Sequence, residues 1–98
     1  MKILALSVLL MVAVACEAAA QDTQCAREHA AMVETIRGHG RSHAGAFGQH
    51  GMSERVLQAM AQAKRHRFMS DKSCTIAYAD MPVAIGLGQT ISQPFIVA

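Results

Sequence analysis

The segment Ile3 to Ala15 constrains this chain most: thirteen residues, apolar except for Ser7, follow Met1-Lys2 and lead to Ala18-Ala19-Ala20. A basic start, an apolar stretch of this length and small side chains before Gln21 predict a secretory signal peptide, residues 1–20, that is expected to be cleaved off. A membrane anchor is the competing reading. Thirteen helical residues rise only about 20 Å against a hydrocarbon core of roughly 30 Å, so no stable anchor is expected. The sequence predicts export to a periplasm or beyond.

Cys16 follows Ala13-Val14-Ala15, which loosely resembles the site where bacterial lipoproteins are cut and lipidated, without the Leu usual three residues before the Cys. Lipidation is the second choice. Removing 20 of the 98 residues leaves 78, a size at which one hydrophobic core supplies only a few kcal/mol of net stability. Two cysteines remain, Cys25 and Cys74. In an oxidising compartment they close a loop of about fifty residues, worth about 4 kcal/mol in the chain-entropy model; the equal alternative is two unpaired thiols.

Beyond the leader, eight Lys and Arg face six Asp and Glu, a net charge of +2. That is too small to imply a nucleic-acid partner. The run Lys64-Arg65-His66-Arg67 is more basic, and with Phe68 as its one aromatic neighbour it reads as a solvated helix end.

Gln24 to Arg37 predicts an amphipathic helix, because His29, Met32, Val33 and Ile36 recur at spacings of three and four while Arg27, Glu28, Glu34 and Arg37 take the other side. Gly38 is expected to stop it. Five glycines in the fourteen residues from Gly38 to Gly51 predict a flexible connector with one helical turn within Ser42 to Phe47. Ser53 is the expected N-cap of a second helix, with Glu54 in its first turn and Val56, Leu57, Met60 and Ala61 on its apolar face, ending near Lys64 and pairing with the first. From Asp71 to Gly88 the periodicity disappears, and a loop with one short strand at Ile76 to Ala79 is expected, with Gly86 and Gly88 as turn glycines. Thr90 and Ser92 are candidate N-caps of a terminal helix that suits Pro94 in its first turn.

The stretch Ala77 to Ala98 reads AY-x-D-x-P-x-x-IG-x-GQTISQP-aromatic-x-VA, upstream of it Arg55 to Met60 reads RVL-x-AM, and Arg65 to Phe68 reads R-x-x-F. In this order these words resemble the amino-terminal part of the protein-L-isoaspartate O-methyltransferases, and Met32 to Ile36 is similar to that family's opening helix. A nine-residue word such as Gly88 to Ile96 is far more specific than a lone glycine motif. Two departures loosen the approach to the signature: Ala63-Lys64 and Met69-Ser70 stand where the family commonly carries Val-Pro.

The resemblance implies transfer of a methyl group from S-adenosylmethionine to the carboxylate of an isoaspartyl residue in damaged proteins or peptides. A carboxylate with a pKa near 4 is already ionised at neutral pH, so positioning and desolvation are what the enzyme must supply. By resemblance Ser92 is the catalytic residue, donating its hydroxyl to that carboxylate, and Thr90 and Ile91 help form the substrate pocket. A helix N-terminus with unpaired N–H groups suits an anion there; the competing role of Ser92, Thr90 and Pro94 is ordinary capping. The family's cofactor motif, a glycine-rich strand-turn-helix of the Rossmann-like fold, has no match in these residues, and Gly86 and Gly88 follow no βαβ unit.

The expected fold is therefore mostly α with coil: residues 21–98 read as the truncated amino-terminal part of a Rossmann-like α/β S-adenosylmethionine-dependent methyltransferase with its sheet missing. The 98 residues alone are expected to bind no cofactor and to be inactive. A rival reading is a small exported metal-binding or interaction protein, since His39 and His43 stand four apart, near His29, His50, Met32 and Met52. Against it, Gly38, Gly40 and Gly45 interrupt the helix that would align the pair.

Overall fold

The computed structural model describes residues 2–47, 51–69 and 71–98, and the side chains among them other than those of residues 2–13, 18, 19 and 47. Met1, His50 and Ser70, which figure in the leader, metal and loop readings, lie outside the described residues, as does part of the glycine-rich connector.

Helix α1 spans Lys2–Ser42, so the leader segment and the amphipathic segment lie on one helix. Met32, Val33 and Ile36 are buried as their spacing predicts. The expected stop at Gly38 is corrected: the helix continues through Gly38 and Gly40 and carries His39 and Arg41 in its last turn. A helical glycine costs about 1 kcal/mol relative to alanine. Close packing at Gly40 offsets that cost, because a Cβ there would stand 3.0 Å from Met52 Cβ and 3.1 Å from Met52 N. The backbone of Gly51, at φ 72°, closes against the same turn, within 3.2 Å of the Gly40 carbonyl carbon as measured from an added Cβ. The single turn expected in the connector forms as α2, Ala44–Phe47.

Helix α3, Glu54–Gln62, starts after Ser53 and buries Leu57, and Glu54 pairs with Arg37 of α1. A 3₁₀ turn follows at Arg65–Phe68. The strand expected at Ile76 to Ala79 is corrected to helix α4, Cys74–Ala77. Ser73 caps it, its Oγ accepting from the Ile76 N–H at 3.3 Å. The buried residues Cys74, Ala77 and Tyr78 then fall at i, i+3 and i+4, the helical spacing, while Ile76 is exposed. Cys25 and Cys74 are joined in a disulfide with Cα atoms 5.0 Å apart and 49 residues of separation, which resolves the open alternative and ties α1 to α4.

Strands β1, Val83–Gly86, and β2, Gln89–Ile91, form an antiparallel hairpin with Val83 opposite Ile91 and Ala84 opposite Thr90, bulged between Ala84 and Gly86. Its turn needs positive φ at both central positions, and Leu87 and Gly88 adopt 52° and 70°. Helix α5, Pro94–Val97, closes the chain's described elements with Pro94 at its start. Thr90 and Ser92 are corrected as caps, since Gln93 takes the N-cap position.

One core joins these elements: Cys25, Met32, Val33 and Ile36 from α1, Leu57 from α3, Met69, then Cys74, Ala77 and Tyr78, and Val83 from β1. The described fold is mostly helical with one two-stranded sheet. Among the described residues no helix is long and apolar enough to cross a membrane.

Candidate functional site

The signature residues sit where β2 runs into α5. Side chains alternate along a strand. Ile91 turns toward the core against Val83, so Thr90 and Ser92 face outward and both are exposed. Ile91 also lines an apolar cavity of about 200 Å³ with Met60, Phe68 and Val97. The sequence-predicted trio is thus contiguous, with two hydroxyls on one face and an apolar anchor behind them.

What fixes this segment is Arg65, which its basic run predicts on a solvated helix end. It is 9% exposed. Its Nε donates to the Ala77 carbonyl at 2.7 Å, Nη1 to the Ser92 carbonyl at 2.6 Å and Nη2 to the Met81 carbonyl at 3.2 Å. One planar fork therefore ties α4, the loop before β1 and the end of β2 together. Burial pushes the guanidinium below its ordinary value, and the charge of Asp80, then of Tyr78, opposes that shift. It remains a cation, because a guanidinium is not deprotonated in a protein. The R-x-x-F word marked this position, but nothing local distinguishes Arg65 from its exposed neighbour Arg67.

The start of α5 differs from the expectation of a free anion site. Pro94 has no N–H, Phe95 N donates to Asp80 Oδ1 at 2.9 Å, and Ile96 N donates to the Gln93 carbonyl at 3.0 Å. The anion at this helix start is the protein's own Asp80, a position the dipole favours. The second carboxylate oxygen, Oδ2, is buried 2.9 Å from His39 Nδ1 and makes no hydrogen bond among the described residues. The rings of His39 and His43 also meet the Phe95 ring, at centroid distances of 5.3 and 5.8 Å.

Those contacts bear on the metal reading. The helix is continuous at His39 and His43, yet His39 Nδ1 faces Asp80 and His43 Nδ1 faces the His39 carbonyl at 2.9 Å. His29 is engaged elsewhere, 2.7 Å from the Met60 carbonyl and stacked on Tyr78 at 4.5 Å. Among the described residues no three His, Cys, Asp or Glu side chains gather into a metal site. Tyr78 is itself held by His66, whose Nδ1 lies 2.5 Å from the hydroxyl, and burial pushes that hydroxyl above its ordinary pKa against the pull of His66, Arg67 and Arg65.

Residues 45–98 match the profile of the family described as Protein-L-isoaspartate(D-aspartate) O-methyltransferase. The chain is 41% identical over 86 residues to Protein-L-isoaspartate O-methyltransferase 1 of Cupriavidus necator, covering 88% of this chain and 33% of that protein. It is 40% identical over 79 residues to the Protein-L-isoaspartate O-methyltransferase of Chlorobium limicola, covering 81% and 32%, and 60% identical over 43 residues to that of Picosynechococcus, covering 44% and 19%. The chain spans about a third of the length of the first two relatives. No solved structure matches it significantly.

Proposed function

Because the chain belongs to the protein-L-isoaspartate(D-aspartate) O-methyltransferase family, we propose that its residues supply the substrate side of a methyl-transfer site that repairs isoaspartyl proteins. The observation that carries this is the exposed Ser92 beside Thr90, at the end of β2 and inside the family's signature word, with its own carbonyl gripped by the buried Arg65.

In this reading the Ser92 hydroxyl donates to one oxygen of the isoaspartyl carboxylate and Thr90 and Ile91 form the adjoining wall. The carboxylate needs no base, being ionised at neutral pH. What the chain contributes is orientation, and Arg65 and Asp80 act by holding the Ser92 carbonyl and the Phe95 N–H that follows it. The methyl donor of the family is S-adenosylmethionine. The described residues offer it no fitting cradle: their strands form one antiparallel hairpin, and Gly86 and Gly88 serve its turn. No step through the cofactor is therefore assigned to this chain. The 98 residues alone are inactive in this proposal.

Export directed by residues 1–20 is part of the same proposal, supported by the basic start, the apolar stretch and Ala18-Ala19-Ala20. It places the chain apart from the cytosolic pool of S-adenosylmethionine, and amino-terminal sequencing of the fractionated protein tests it: intact Met1 in the cytosol would refute it.

Activity is tested by joining residues 21–98 to the remaining two thirds of the Cupriavidus necator relative. The joined enzyme should methylate an isoaspartyl peptide while residues 21–98 alone stay at background. Ser92→Ala should lower turnover and leave S-adenosylmethionine affinity unchanged. Full turnover in the Ser92→Ala enzyme would remove Ser92 from the reaction.

A further inference from the structure

The disulfide between Cys25 and Cys74 is not sealed in the core. It forms part of the wall of two adjoining cavities. One, of about 300 Å³, is lined by Cys25 together with Lys64, His66, Arg67 and Tyr78. The other, of about 250 Å³, reaches both cysteines and adds Lys72. Among the described residues Asp22 is the one acidic side chain in either lining, beside Lys64, Arg67 and Lys72, with Asp71 outside the cleft 3.5 Å from Lys72 Nζ. The hydroxyl of Tyr78 occupies His66 Nδ1, which leaves Nε2 as the ring's remaining polar atom.

Cys25 and Cys74 are only 6% and 7% exposed, so a reagent reaches their sulfurs through this cleft. The nucleophile in thiol–disulfide exchange is a thiolate, and the departing sulfur also leaves as a thiolate. Lysine and arginine around the bond favour both, raising the local concentration of an anionic reagent and stabilising the leaving charge. A neutral or cationic thiol gains nothing from them.

We propose that this cleft admits small anionic thiols, molecules that join a thiol to one or more carboxylates, and that the Cys25–Cys74 bond is the group on which they act. The thiolate attacks the sulfur of Cys25, the cysteine that lines both cavities. A new sulfur–sulfur bond forms, the Cys25–Cys74 bond breaks, and its electron pair leaves on Cys74 Sγ, in the cavity that Lys72 also lines. A second thiolate attacks the outer sulfur of the mixed disulfide and releases Cys25 as a thiolate. Two small thiols are oxidised to one disulfide, the protein's disulfide is reduced to two thiols, and the two protons given up by the reagents end on the two cysteines. Reduction removes the covalent tie between α1 and α4, and α4 carries the Ala77 carbonyl that Arg65 holds along with Ser92. Exchange in the cleft thereby reaches the signature segment.

The test compares reduction of the oxidised full chain by glutathione, 2-mercaptoethanol and cysteamine, each rate constant expressed per thiolate. Glutathione should react roughly tenfold faster than cysteamine at low salt, with 2-mercaptoethanol between them. About 0.5 M sodium chloride should bring the ratio close to one. The double variant Arg67→Gln/Lys72→Gln should do the same, and because both rates are read on one protein, a change in its stability does not mimic the effect. Mass spectrometry of the trapped intermediate should find glutathione on Cys25. Equal rates for the three thiols at low salt, a ratio insensitive to salt and to the double variant, or glutathione on Cys74 alone would each overturn the proposal.

Discussion

The Arg65 guanidinium donates from Nη1 to the Ser92 carbonyl at 2.6 Å across 27 residues of sequence. The same side chain holds Ala77 and Met81, so the conformation of the signature segment depends on a cation that lies outside it. Deleting the guanidinium in Arg65→Met strands three carbonyls that now share one charged donor. The expected loss is about 3 kcal/mol. Arg65→Lys should recover only part of it, because one ammonium cannot reproduce the planar fork. Urea unfolding followed by circular dichroism measures both, and an unchanged midpoint for Arg65→Met would show that the network contributes nothing to stability.

Tyr78 gives the chain an alkaline limit. Burial raises its pKa above the ordinary 10.0, so above that pH the unfolded chain releases a proton that the folded chain keeps. Stability is complete below pH 10 and falls as the pH climbs toward the folded-state value. Tyr78 is the only tyrosine in the sequence, so tyrosinate absorbance reports it directly. Its titration midpoint should lie higher in buffer than in concentrated urea; coincident midpoints would contradict the buried placement.

Two glycines two residues apart should respond oppositely to alanine. Nothing lies within 4 Å of a Cβ built on Gly38, and Gly38→Ala should stabilise the chain by about 0.5–1 kcal/mol through helix propensity. At Gly40 the same methyl meets Met52 at 3.0 and 3.1 Å, the second contact being backbone, and Gly40→Ala should destabilise it. Melting temperatures that move in the same direction for both would refute the close packing of Gly51-Met52 on α1.

Leu87 occupies the left-handed region at φ 52° and is fully exposed, so it bears a steric cost without burial in return. Leu87→Asn should stabilise the hairpin by about 1 kcal/mol. A lower urea midpoint for Leu87→Asn would mean that the leucine makes a contact in solution that outweighs the strain.

Replacing both bonded cysteines, Cys25→Ala with Cys74→Ala, should cost about 4 kcal/mol, the loop-closure value for a loop of this length. In a chain of this size that approaches the whole stability. Far-UV circular dichroism should show a largely unfolded double variant at room temperature, and a cooperative melt close to that of the parent would count against the disulfide as the main staple.

Local chemistry in the sequence was enough to determine some elements. The spacing of Met32, Val33 and Ile36 defines the buried face of α1, Ser53-Glu54 starts α3, Gly86 and Gly88 mark the hairpin turn, and Pro94 begins α5. The family was legible too, because its signature is a contiguous word. Only the tertiary structure decided the rest, and in each case the cause is a contact distant in sequence. Gly40 stays helical because Met52 fills the space a side chain would need. Ile76 to Ala79 is not a strand because Ser73 caps a turn that the Cys25–Cys74 bond holds to α1. The start of α5 is already occupied, since Asp80 returns to it from 15 residues upstream. Arg65, one cation in a basic run, is buried because three carbonyls from separate segments converge on its fork, and no local pattern encodes a convergence of that kind.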